Sequence, residues 1–218
     1  MADKILKNAT GEIWKNTDGK IIKNRVFSES VLTDGLQFWG VADSNYLTLV
    51  SGLVSEAYDI RGAGQKMIQN TVGYRPTLIN NLIYFNNYYS VLSKTGGSML
   101  SAFMVFKAAE WSGITSTGGY NTKFLGSTAS NKGMFGGGTH SCYVNSTKYV
   151  NVPGPALNST LTIIHSLTNM SVGSTHTLGC LSASVGMAVK EWGWYNRLLS
   201  DREIIYNINA LNAKYAIF

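Results

Sequence analysis

At 218 residues, 44% hydrophobic and only 14% charged, with 23 glycines, the chain is too apolar for a disordered segment and long enough to bury a sizeable core, as an ordered all-β protein with many turns does. No run approaches the roughly 18 apolar residues of a membrane span, Met1 to Lys7 lack an apolar signal-like stretch, and Cys142 and Cys180, the only cysteines, lack CxxC spacing and are expected as two free, buried thiols. The formal charge of +6 is uneven: between Ile60 and Lys190 stand nine basic residues and one acid, Glu110, which suits acidic partners such as anionic glycans, an acidic protein surface or nucleic acid and equally suits scattered solubilising lysines.

The first 25 residues contain a repeat of period eight. "LKNATGEI" (Leu6 to Ile13) is followed by "WKNTDGKI" (Trp14 to Ile21), and Lys23 and Asn24 begin a third copy. Leu6, Trp14 and Ile22 occupy one equivalent position, Gly11 and Gly19 another. Thr-Gly and Asp-Gly between short alternating runs are hairpin signals, because glycine takes the positive φ of tight turns. Two or three strands of about four residues are not stable alone, so such a β-hairpin arm packs on the body or on another chain. Residues 1–25 therefore read as an attachment or oligomerisation arm anchored by Leu6, Trp14 and Ile22, with a simple extension of the body as the alternative.

From residue 26 to 218 the pattern is that of one domain, with short strands separated by turns. The clearest are "LQFWGVA" (Leu36 to Ala42), "MLSAFMVFKAA" (Met99 to Ala109), "TKFLGS" (Thr122 to Ser127), "HSCYVN" (His140 to Asn145), "STLTIIHSL" (Ser159 to Leu167), "HTLGCLS" (His176 to Ser182) and "GMAVKEWGWYN" (Gly186 to Asn196). Gly137, Gly138, Asn145, Pro153 and Pro155 punctuate turns. "GMFGGGTH" (Gly133 to His140) precedes no helix, so it reads as a loop and not as a phosphate cradle.

The closing segment differs in kind. Ser200 followed by Glu203 is a capping box, with Leu199 and Ile204 placed for the hydrophobic staple. Ile204, Ile208, Leu211 and Tyr215 recur at spacings of four, three and four, one apolar stripe. A helix over about 200–215 is expected to dock that stripe on the body.

The stretch Glu191, Tyr195, Asn196, Arg197, Leu199, Ser200, Glu203, Leu211, Lys214 and Tyr215 resembles the ending of concanavalin A-like lectin/glucanase jelly rolls of the laminin-G-like type. There, a last core strand runs through Y-N-R-x-L-S into a closing helix ending in K-Y. "VSEAYDIRGAGQKMIQNTVGYRPTL" (Val54 to Leu78) is similar to an early turn of that family followed by Q-x-T-x-x-x-R-P-T, matched here by Gln69, Thr71, Arg75, Pro76 and Thr77. The resemblance spans roughly Leu36 to Tyr215. It implies a two-sheet antiparallel jelly-roll sandwich with a short C-terminal helix. Chains of this kind with short N-terminal arms are common among bacteriophage virion proteins. Two positions depart from the pattern: Ala57 replaces an aromatic residue, and Phe85, Asn86, Asn87 replace an F-D-G turn, which weakens any inherited calcium site on that edge.

Glycosidic hydrolysis needs two closely spaced carboxylates, and between Ile60 and Lys190 only Glu110 is present. Calcium wants several acidic oxygens; of the early-loop candidates Asp43 and Asp59, Asp59 sits in a Gly-rich turn where capping backbone N–H groups is the commoner role. His140, His165 and His176 lie in separate strand-like runs without ligand spacing and are expected to be structural. No catalytic residue, metal or cofactor is therefore expected. Sugar contacts are carried by exposed aromatics, for which Tyr74, Trp111 and Tyr120, with Asn121, lie beside turn glycines. Together with the resemblance, these features lead to the expectation of a non-enzymatic virion structural protein: a capsid decoration, head fibre or tail adaptor. Its partners would be capsid, fibre or tail components and further copies of itself, with no membrane or nucleic acid. The alternative is a glycan-binding receptor-recognition protein that attaches to the bacterial surface.

Overall fold

A computed structural model describes residues 30–62, 64–85, 90–108, 125–127, 133–134, 140–152, 160–166, 175–179 and 187–218. The arm at residues 1–25, with Leu6, Trp14 and Ile22, lies outside the described residues. The elements run in order β1 (Leu36–Val41), a 3-10 turn (Ser44–Tyr46), β2 (Leu47–Val50), β3 (Leu53–Tyr58), β4 (Lys66–Ile68), a second 3-10 turn (Val72–Tyr74), β5 (Thr77–Ile79), β6 (Leu82–Phe85), β7 (Val91–Thr95) and β8 (Ser101–Ala108). They continue with β9 (Leu125–Ser127), β10 (Gly133–Met134), β11 (His140–Val144), β12 (Thr147–Val152), β13 (Thr162–Ser166), β14 (Thr175–Gly179), β15 (Met187–Tyr195) and α1 (Asp201–Tyr215). Every strand named in the sequence has a counterpart. β12 was hidden in a stretch read as turn punctuation, because Pro and Gly crowd its flanks while its own alternation is short. Gly133–Met134, expected in a loop, instead pairs with Leu125 and Gly126. A backbone ladder needs no side-chain alternation to form.

All pairings are antiparallel. The order is β10-β9-β14-β7-β4-β3-β5-β6-β15-β8-β13-β11-β12, with β2 on β3 and β1 on β15. This long sheet folds back on itself. Trp192 of β15 donates its indole N–H to the Met67 sulfur of β4 at 3.3 Å, and Trp194 lies 5.4 Å from the ring of His176 on β14. The two layers thus enclose a core of Phe38, Met67, Leu92, Met104, Phe106, Ile164, Leu178, Trp192 and Trp194. The result is an all-β sandwich with one C-terminal helix. Cys142 is a buried free thiol, pushed up to about 11 by burial; Cys180 lies outside the described residues.

The period of two in β8 makes a second core. Ala102, Met104 and Phe106 face inward, whereas Phe103 and Val105 face the other way, where Ile163, Tyr195, Leu199, Ile204, Ile208 and Leu211 join them. The helix is therefore a third layer, docked by the stripe expected of it. Its capping box is formed in both directions between Ser200 and Glu203, and Leu199 with Ile204 is buried as the staple requires. Asn207, also fully buried, interrupts the stripe. It bonds Tyr195 Oη at 3.0 Å, and its carbonyl accepts from the Leu32 N–H at 2.8 Å.

The helix start also predicts an acid response. Arg197 bonded to Glu203, with help from Ser200, holds the Glu203 carboxyl down at about 2 against an ordinary 4.5. Because the folded value is depressed, its contribution to stability is complete above about pH 4.5 and is lost as pH falls toward 2. Urea unfolding across that range is expected to show a shallower acid limb for Glu203→Gln than for the wild type.

Candidate functional site

The segment from Gln69 to Pro76 joins β4 to β5 and is fastened to β3 at both ends, by Gln69 N–H to Ser55 O at 2.8 Å and by Val54 N–H to Pro76 O at 2.7 Å. Its interior is held by polar side chains. Gln69 Nε2 donates to Val91 O at 3.0 Å, and Gln69 Oε1 accepts the Thr71 N–H at 2.9 Å. Arg75 donates back to Gln69 O at 2.9 Å and to Asn70 O at 3.1 Å. The Q-x-T-x-x-x-R-P spacing is thereby explained: the first and last side chains staple a loop that has no apolar core of its own.

What the loop does with its apolar residues follows. Val72 is 59% exposed and Tyr74 42%. Tyr74 was legible in the sequence as an exposed aromatic; Val72 was not singled out, since a lone Val in a loop carries no signal. Trp111, Tyr120 and Asn121 lie outside the described residues. Of the nine large apolar side chains that the described residues expose, six (Tyr46, Leu49, Val50, Val72, Tyr74 and Ile79) fall between residues 46 and 79. Of these, Val50 pairs with Leu53, and Leu53 with Thr77, so one row of pairing joins the edge of β2 to β3 and β5.

Next to this region the outward residues of β3 and β4 form a polar knot. Lys66 Nζ lies 2.5 Å from Glu56 Oε1, Thr48 Oγ1 donates to Glu56 Oε2 at 3.1 Å, and the Tyr58 hydroxyl donates to the same oxygen. Lys66, then Tyr58, holds the Glu56 carboxyl below the usual carboxylate range. With its oxygens taken, Glu56 stays an anion and is not poised to carry protons.

The other described carboxylates are likewise engaged. Asp59, fully buried as a side chain, is forked by Arg61 at 2.5 and 2.9 Å and accepts the Arg61 N–H at 2.9 Å. It therefore performs the capping expected of it and an ion pair besides. Asp43 accepts the Asn45 N–H at 2.9 Å. Glu191, buried completely, accepts from Trp39 Nε1 at 2.7 Å, from Lys214 Nζ at 2.8 Å and from the Tyr215 hydroxyl. Asp201 pairs with Lys148 at 2.5 Å, and Arg197 pairs with Asp34 at 3.0 Å and Glu203 at 2.7 Å. Among the described residues no three His, Cys, Asp or Glu side chains converge as metal ligands, and no helix is long and apolar enough to cross a membrane. His165 meets Asn207 at 3.3 Å and His176 meets the Gly97 carbonyl at 3.0 Å, both in structural settings. No family model, curated protein or solved structure matches the chain.

The loop staple is testable. Arg75→Ala strips two carbonyls of their donor, a local loss of about 1–3 kcal/mol. Limited proteolysis is expected to cut the variant between residues 69 and 76 faster than the wild type, with the global urea midpoint moved far less.

Proposed function

We propose that this protein is a non-enzymatic jelly-roll module that acts by assembly and display, as a bacteriophage virion component: a capsid decoration, head fibre or tail adaptor. The observation that carries this reading is the commitment of every described Asp and Glu to a cap, an ion pair or a buried hydrogen bond. Acid–base hydrolysis on a sandwich needs a pair of carboxylates free to exchange protons, and these are spent on holding the fold. The stapled loop with Val72 and Tyr74 outward supports a surface built for contact. In this reading the arm at residues 1–25 attaches the body to capsid, fibre or tail components and to further copies of the chain through Leu6, Trp14 and Ile22. Deleting residues 1–25 is expected to abolish incorporation into particles, measured by mass spectrometry of purified virions. Incorporation at the wild-type level would remove the attachment role.

A second reading, a receptor binder that recognises bacterial surface glycans, draws on the exposed Tyr74, since sugars stack on aromatic faces. A glycan array separates the two. Specific binding by the purified protein that disappears in Tyr74→Ala, Trp111→Ala or Tyr120→Ala is the result expected of the receptor binder, and a blank array is the result expected of the assembly module.

A further inference from the structure

One buried titratable group is left unused by everything above. His176 on β14 is fully buried. Its Nε2 meets the Gly97 carbonyl at 3.0 Å, while its Nδ1 finds no partner among the described residues. A neutral imidazole bonded to a carbonyl through one nitrogen carries its proton there and leaves the other nitrogen bare. The carbonyl belongs to the connection that leaves β7 and enters β8, passing from one layer of the sandwich to the other. Gly96 and Gly97 both take positive φ, 86° and 91°, a conformation that few other residues hold. The hydrogen bond from His176 thus fastens to β14 a crossing between layers whose backbone only glycine adopts freely.

Among the described residues the immediate surroundings contain donors and no acid. Directly across the ladder His176 pairs with Lys94, whose Nζ reaches the adjacent Gly96 carbonyl at 3.3 Å. From the opposite layer Trp194 lies 5.4 Å away, ring to ring, tilted by 52°, and its indole nitrogen is also buried without a partner among the described residues. β9, on the far side of β14, offers Leu125, Gly126 and Ser127, none of them titratable. The charged residues of β15 are occupied elsewhere, Lys190 by the Asn81 carbonyl and Glu191 by Lys214. The carboxylate whose charge reaches Lys94, Asp59, is held by Arg61.

We propose that His176 is an acid-sensitive pin: neutral, it ties the β7–β8 crossing to β14, and the cost of charging its buried ring makes the fold lose stability in acid. A second proton places a cation in a buried site beside the Lys94 ammonium and the Trp194 N–H, with the Gly97 carbonyl already taken. Buried ions without a counter-charge are strongly disfavoured. Burial first, and Lys94 after it, holds the imidazole below its ordinary 6.5 despite the opposing Gly97 bond. The sign is that of a depressed histidine. The unfolded chain takes the proton near pH 6.5 and the folded chain does not, so stability falls as pH drops through that value, until the folded site itself titrates.

The test compares the full-length wild type with His176→Gln, which keeps a side-chain N–H for the Gly97 carbonyl and cannot titrate. Urea unfolding at pH 7.5, 6.5, 5.5 and 5.0 is expected to show the wild-type unfolding constant rising relative to the variant as pH falls below about 6.5, with about tenfold per pH unit as the one-proton limit. Equal pH slopes for the two proteins would overturn the proposal. Should the variant fail to fold, nitrogen-15 NMR of the wild-type histidine rings decides alone. A His176 ring still neutral with Nε2 protonated below about pH 6 supports the pin, and titration at an ordinary value near 6.5 overturns it.

Discussion

The buried carboxylate of Glu191 sets the geometry around which the three layers are arranged. A carboxylate removed from water is tolerated only when its oxygens are bonded and its charge is matched. Here the three donors come from two places far apart in the chain: Trp39 on β1, and Lys214 and Tyr215 at the end of α1. β15 directs the group outward through a bulge. The register slips between Val189 and Glu191, so that Val189 and Trp192 remain in the inner core while Glu191 turns to the helix side. Strand pairing, edge-strand docking and helix closure all meet at one anion.

A second polar knot continues the same logic along the helix. Asn207 takes the Leu32 N–H and gives to Tyr195 Oη, and that hydroxyl donates to Leu32 O at 2.9 Å. The ring is closed, which is what makes a buried Asn acceptable in an apolar stripe. It fixes the chain just before β1 against both the helix and β15.

Much of this was legible. Ser200, Glu203 and the stripe Ile204, Ile208, Leu211 and Tyr215 gave the helix and its buried face, because a helix must bury whatever recurs at its own period. Glu191 could be read as structural, and Asp59 as a turn acid. Tyr74 stood out as an exposed aromatic. Other features left no local mark. Nothing adjacent to Glu191 announces Trp39, and nothing beside His176 announces Gly97 or Trp194, since these partners are 152, 79 and 18 positions away. The loop staple lay between the two cases: the spacing of Gln69 and Arg75 was visible, but its purpose appeared only with the carbonyls that those side chains hold.

The sequence by itself determined the class of structure, all-β with one capped helix, because alternation, turn residues and capping are local and follow from backbone geometry. It also restricted the chemistry, since so few acids stand in the central body. Only the tertiary structure decided that the described acids are spent on the fold, that Val72 and Tyr74 face solvent, and that His176 is bare on one nitrogen. These outcomes depend on which distant groups arrive at the same place, and burial and hydrogen-bond satisfaction are properties of that meeting and not of any single stretch of chain.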